Sequence, residues 1–179
     1  MDLLNDIRAA FPSTPYPGDR VLSECWCEEC AWSVRNLRGK SWKQVRLDDL
    51  NLGDGGHLSP EAFRYYLPAL LAFAVQHPDH FPLAGEINAR FVAVCGDSDD
   101  EIQRIRKLVA SLTKPQRATL VRFFQWLQAQ GWQAPVLIDA AIKAVGDNLV
   151  EAIPAEALLE FARAKERESL KSKEGPTRQ

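Results

Sequence analysis

Three cysteines, Cys25, Cys27 and Cys30, lie close together in the sequence CWCEEC and have the residue types for metal or redox chemistry. Thiolates bind soft metal ions, and two side chains three residues apart share one face of a helix. Cys25 and Cys27 would point to nearly opposite sides if both were helical, so three-thiolate binding requires Cys25 to lie in a loop. A tetrahedral zinc site also needs a fourth ligand, for which His57 and Cys95 are candidates.

Two other interpretations of the same cysteines stay open. The pattern WCxxC is typical of thioredoxin-type redox sites, but such a site needs a preceding strand, which the sequence does not predict. The neighbouring Glu28 and Glu29 also oppose formation of a thiolate. The third interpretation, small buried thiols on a core-facing helix, is the one that we favour over zinc and redox chemistry.

A basic segment at 35–46 contains arginines and lysines without acids and lies near Trp32 and Trp42. Such a segment could bind phosphates and stack a base on a tryptophan. The acids that flank it, among them Asp48 and Asp49, can pair with it instead. The net charge of −2 and the pI near 5.9 also give no global attraction to nucleic acid. We therefore expect a solvated face with internal ion pairs.

The longest apolar segment, residues 59–76, is predicted to be a central helix. Ser59 can cap it and Pro60 suits its first position, whereas Pro68 removes one helical hydrogen bond and predicts a kink. The polar residues just before the kink, Arg64, Tyr65 and Tyr66, mark a candidate pocket. We assign these three, together with Trp42 and Lys40 of the basic segment, as pocket or interface residues.

Apolar periodicity and capping signals predict helices along most of the chain, and no segment shows convincing period-2 alternation. The predicted helices are 2–11, 21–38, 59–76, 84–95, one opened by Ser98 and Glu101, one opened by Thr113 and Gln116, 135–146, and one opened by Pro154. We predict an all-α, orthogonal or irregular bundle of about seven to eight helices, forming a single domain over 1–165. Residues 166–179 are highly charged and are expected to be a disordered tail.

The motifs C-x-E-C, G-K-x-W, L-S-P-E-A-F-R-Y-Y-L-P-A and a T-x-x-Q-R helix occur together here. They lie at Cys27–Cys30, Gly39–Trp42, Leu58–Ala69 and Thr113–Leu127. In this combination the chain resembles an uncharacterised family of small bacterial proteins, known as a domain of unknown function. The resemblance covers roughly residues 5–130. The segment after residue 132 lies outside it, and Cys25 is not part of the motifs. It implies a small soluble protein and transfers no activity, cofactor or catalytic residue.

The sequence lacks GxSxG, HExxH and P-loop motifs, so we expect a non-enzymatic protein. It shows no export signal and no membrane span, which favours a cytoplasmic location without a membrane partner. The leading hypothesis is a protein-interaction module, for example an immunity or antitoxin-type inhibitor of another bacterial protein. Tryptophans offer rigid interface anchors, and the chain has five: Trp26, Trp32, Trp42, Trp126 and Trp132. The alternatives are a zinc-dependent or thiol-dependent site at the cysteines and nucleic-acid binding through 35–46; no other cofactor is expected.

Overall fold

The computed structural model describes residues 2–12, 15–25, 27–50, 58–79, 81–131 and 134–173. Within these ranges the chain forms eight α-helices and two very short strands. The helices are α1 (Leu3–Ala10), α2 (Glu28–Leu37), α3 (Pro60–Gln76), α4 (Phe81–Ala89), α5 (Asp99–Ala110), α6 (Lys114–Gln130), α7 (Pro135–Gly146) and α8 (Ala155–Lys173). The strands are β1 (Ala93–Val94) and β2 (Ala152–Ile153), which pair in parallel. The predicted all-α class is confirmed.

Helix α3 has the burial expected of a central helix. Ser59 caps it by accepting from the Ala62 N–H at 3.1 Å, and the helix continues without a break through Pro68. Most of its residues are buried, on all sides, because α1, α4 and α5 pack against it. Helices α6 and α7 form the most extensive helix pair, and α1 bridges α6 and α3.

The predicted starts of α5 and α6 are confirmed. Ser98 and Glu101 form a reciprocal capping box at the start of α5, and Thr113 and Gln116 form another at the start of α6. Each box satisfies backbone N–H groups that the first helical turn leaves unpaired. Helix α6 ends at Gly131, which has the left-handed backbone conformation (φ +71°) that favours glycine.

The predicted helix over 84–95 is wrong at its end. Helix α4 stops at Ala89, where the Phe91 N–H turns back to the Asn88 carbonyl at 2.9 Å. Phe91 is fully buried, and the next residues, Ala93 and Val94, pair with β2. Burial and strand pairing with a distant segment therefore override the local helical period. Helix α8 continues to Lys173, into the segment predicted as a charged tail.

Candidate metal centre

The chain that leads into the cysteines is anchored to the start of α3. Leu22 is fully buried, and its carbonyl accepts a hydrogen bond from the Ser59 N–H at 3.1 Å. The Ser59 hydroxyl also donates to the Val21 carbonyl while it caps α3. One serine therefore joins the segment before Cys25 to the central helix.

Helix α2 begins at Glu28, so the predicted helix over 21–38 is wrong at its start. Cys27 is the N-cap residue, and its Sγ accepts from the Cys30 N–H at 3.4 Å. Residues 23–25 form a tight turn in which the Cys25 N–H donates to the Ser23 hydroxyl at 3.2 Å. Cys25 therefore lies in a loop before the helix, which is the condition that three-thiolate binding requires.

The three thiol groups converge. The Cys25 Sγ lies 3.0 Å from the Cys27 Sγ and 2.6 Å from the Cys30 Sγ. All three sulfurs lie within 4.8 Å of one another, and among the described residues they form the one group of three or more potential ligands. Cys25 is exposed, Cys27 is half-buried and Cys30 is buried, so the cluster reaches from the core to the surface.

The arrangement fits a thiolate metal site. Zinc–sulfur bonds of about 2.3 Å in a tetrahedron place the sulfurs roughly 3.8 Å apart, so the Cys25 sulfur, now 3.0 and 2.6 Å from the other two, would move away from them by about 1 Å on metal binding. Small side-chain rotations would set the three sulfurs at this spacing. Backbone N–H groups donate to two of the sulfurs, from Cys27 to the Cys25 Sγ and from Cys30 to the Cys27 Sγ, each at 3.4 Å. Such bonds favour the charged thiolate form that metals bind.

The far end of α2 is held by Tyr66 of α3. Its hydroxyl lies 3.0 Å from the carbonyls of both Leu37 and Lys40 and shares its one proton between them at the C-terminal end of α2. Tyr66 is fully buried, and its burial raises the pKa of the phenol. It stays protonated and remains a donor at neutral pH. Ser59 and Tyr66 thus hold the cysteine segment and α2 against α3 at two points.

Comparison with known proteins gives a match to a family without an assigned function. The model of the Family of unknown function (DUF6714) matches residues 1–145. The chain belongs to DUF6714. The predicted resemblance to a family of unknown function is confirmed, and the match extends past residue 130, so that almost all of α7 lies within it. No curated protein and no solved structure matches the chain.

In this DUF6714 chain the predicted pocket residues do not all lie together. Trp42, Arg64 and Tyr65 line a cavity of about 180 Å³, whose lining also includes Pro68, Pro12, Pro15 and Pro17. Trp42 and Tyr65 are buried and Arg64 is exposed. Tyr66 and Lys40 are not part of this lining: Tyr66 points to the end of α2, and the Lys40 ammonium pairs with Asp49 at 2.7 Å.

The predicted fourth ligands have different outcomes. His57 lies outside the described residues, and its role stays a prediction. Cys95 follows β1, is exposed, and does not belong to the sulfur cluster. For the redox interpretation, the described residues before Cys25 form α1, an extended segment and a single 3-10 turn at Asp19–Val21, not the strand that a thioredoxin-type site needs.

The basic segment 35–46 forms internal ion pairs, as predicted. Besides the Lys40–Asp49 pair, Arg38 Nε lies 3.0 Å from Asp19 Oδ2, and the Lys43 ammonium lies 5.4 Å from the Trp42 ring centre. Asp19 is a partner that the sequence did not indicate, because it lies on the far side of the cysteine segment. Trp32 and Trp126 are half-buried; Trp26 and Trp132 lie outside the described residues.

In the described part of the chain, no helix is both long and apolar enough to cross a membrane.

Sequence reasoning missed a cavity beside the cysteines. Arg20, Arg35 and Arg38 surround a cavity that Cys25 and Cys30 border. Only the fold brings these residues together, so no local sequence signal could have found the cavity.

Proposed function

We propose that this protein binds one zinc ion through the thiolates of Cys25, Cys27 and Cys30. The observation that carries the proposal is the convergence of three sulfurs, from a loop, a helix cap and a first helical turn, on one point. Side chains packed only for apolar burial would not need to place a partly exposed thiol and a buried one in contact.

Ligand type favours zinc over other ions. Three thiolates are soft ligands, which exclude the oxygen-preferring Mg²⁺ and Ca²⁺. Zinc has no redox chemistry of its own and accepts tetrahedral sites with three cysteines. The site also joins the loop before α2 to the helix itself, so zinc binding would stabilise the segment that Ser59 and Tyr66 attach to α3.

The zinc content of the full chain, purified without chelator, tests the proposal. We expect about one equivalent in the unchanged protein and less than about a tenth in Cys27→Ser and Cys30→Ser, because each loses a thiolate ligand. Cys95→Ser is the matched control, since this exposed cysteine lies outside the cluster. Removing zinc with a chelator should lower the melting temperatures of the unchanged protein and of Cys95→Ser, but not those of Cys27→Ser and Cys30→Ser. A zinc-free protein, or equal zinc in all variants, would contradict the proposal.

A second proposal is the protein-interaction role, including an immunity or antitoxin-type inhibitor. It is supported by Leu149 and Leu159, whose side chains are 46 % and 54 % exposed. Leu149 borders a cavity of about 540 Å³ between α7 and β2, lined by Val136, Ile142 and Ile153 among others. We expect a stoichiometric partner from the native host that Leu149→Lys no longer retains, whereas the surface control Arg163→Ala does. A partner retained equally by both variants would exclude this surface.

A further inference from the structure

The cysteine cluster borders a cavity of about 610 Å³ with a marked charge pattern. Cys25 and Cys30 form part of its wall, and three arginines, Arg20, Arg35 and Arg38, form another part. Among the residues that the structure describes, the acids in this lining are Asp19 and Glu28. Before the thiols are counted, the lining therefore has an excess of positive charge directly beside two candidate metal ligands.

The acid nearest to the arginines is already engaged. Asp19 Oδ2 lies 3.0 Å from Arg38 Nε, and Asp19 Oδ1 accepts from the Tyr16 hydroxyl at 2.7 Å. Arg20 and Arg35 are exposed, on the 3-10 turn and on α2 respectively. Their guanidinium groups can therefore move to a ligand in the cavity, and guanidinium forks bind carboxylate and phosphate oxygens in pairs of hydrogen bonds.

The coordination number of zinc also points to this cavity as the source of a ligand. The described residues provide three thiolates and no fourth ligand within the cluster. Zinc sites with three protein ligands keep the fourth position for water or an exchangeable ligand. Cys25 and Cys30 are both lining residues, so a ligand in the cavity would lie beside the metal.

We propose that the fourth position at the metal is taken by a small oxyanion, a carboxylate or a phosphate, that enters through this cavity and is held by Arg20 and Arg35. The inference rests on the proposed zinc site. A zinc ion with three thiolates has a net charge of −1, which by itself disfavours a further anion. The arginines offset this charge, and they give the cavity its preference for an anionic ligand over a neutral one.

Cobalt substitution makes the fourth ligand visible. The full chain is loaded with Co²⁺, and its visible absorption is followed during titration with sodium acetate and, separately, with inorganic phosphate at constant ionic strength. We expect a saturable change in the Co²⁺ bands with at least one of the two anions. Arg20→Ala/Arg35→Ala should weaken the apparent affinity about tenfold or more at unchanged cobalt stoichiometry. Arg163→Ala on α8 is the control, since it removes an exposed arginine that is not among the lining residues of the cavity.

The outcomes separate this inference from the zinc proposal. If the protein fails to bind cobalt or zinc, both proposals fall together. If the protein binds metal but neither anion changes the Co²⁺ spectrum, only the anion inference is overturned. A changed Co²⁺ spectrum in His57→Ala would then show that the chain itself supplies the fourth ligand. Equal anion affinity in the double variant and the unchanged protein would also overturn it, because the arginines would then have no part in binding.

Discussion

Tyr66 is the single residue that most clearly links the core to the cysteine segment. Its ring is fully buried in α3, and its hydroxyl serves two carbonyls at the end of α2. A buried carbonyl that loses its hydrogen-bond donor still bears the free-energy cost of having been removed from water. Because the Tyr66 hydroxyl serves two carbonyls, its loss would affect both of them. The role of Tyr66 is therefore to position α2, and it makes no contact with the sulfurs through any described bond.

Tyr66→Phe tests this role. We expect the free energy of unfolding to fall by about 1–3 kcal/mol, because the ring still fills its site while the Leu37 and Lys40 carbonyls lose their donor. Tyr65→Phe, on the same helix, is the comparison variant: no hydrogen bond of its hydroxyl is described, so the loss should be smaller. Urea midpoints at unchanged slope measure both. Equal midpoints for Tyr66→Phe and the unchanged protein would show that the two bonds contribute nothing.

The cysteines themselves were predicted as candidate ligands from their types and spacing, but their geometry was not. The local period continued the helix back to residue 21, which would separate Cys25 from Cys27. The structure instead starts α2 at Glu28 because the Cys27 sulfur accepts from the Cys30 N–H. Cysteine is not among the usual capping residues, so the sequence did not show the start of this helix.

At the scale of elements, the connection after α2 is fixed by one ion pair. Lys40 pairs at 2.7 Å with Asp49, which lies in the 3-10 turn at Leu47–Asp49, and the Arg46 N–H donates to the same carboxylate. Burial raises the pKa of Asp49, but the bonds from Lys40 and from the Arg46 backbone outweigh it and hold this pKa below the usual 3.8. The carboxylate therefore stabilises the turn in its charged form.

This ion pair predicts an acid-dependent loss of stability. Since the folded pKa of Asp49 lies below the unfolded one, its contribution is fully present above about pH 4 and is lost as the pH falls through the lowered folded pKa. We expect the unchanged protein to exceed Asp49→Asn in unfolding free energy by at most about 1 kcal/mol near pH 7. The difference should shrink as the pH falls below about 4 in urea titrations. A difference that stays constant or grows on acidification would contradict this.

Helix boundaries were predictable where the capping residue follows the common code. Ser98 with Glu101 and Thr113 with Gln116 begin α5 and α6 where the sequence predicts them. The end of α4 and the β1–β2 pair were not predictable. Their cause is a contact between Ala93–Val94 and Ala152–Ile153, far apart in the chain, and no local period contains that information.

At the scale of the whole molecule, the site lies where the central helix meets the N-terminal third of the chain. Ser59 and Tyr66, both near the start of α3, anchor the two ends of the cysteine segment and α2. The family match includes all these elements, so the anchoring and the three cysteines lie in the region that defines membership of DUF6714. The cavity beside Cys25 and Cys30 depends on the same packing, because residues of the 3-10 turn and of α2 line it.

X-ray absorption at the zinc edge, on the full chain purified without chelator, tests the central claim most directly. We predict three sulfur atoms at about 2.3 Å from zinc and one lighter oxygen or nitrogen atom at about 2.0 Å. The sulfur shell should be lost in Cys30→Ser together with the metal and kept in Cys95→Ser. A zinc-free protein, or zinc surrounded only by oxygen and nitrogen atoms, would contradict the assignment of Cys25, Cys27 and Cys30 as the metal ligands.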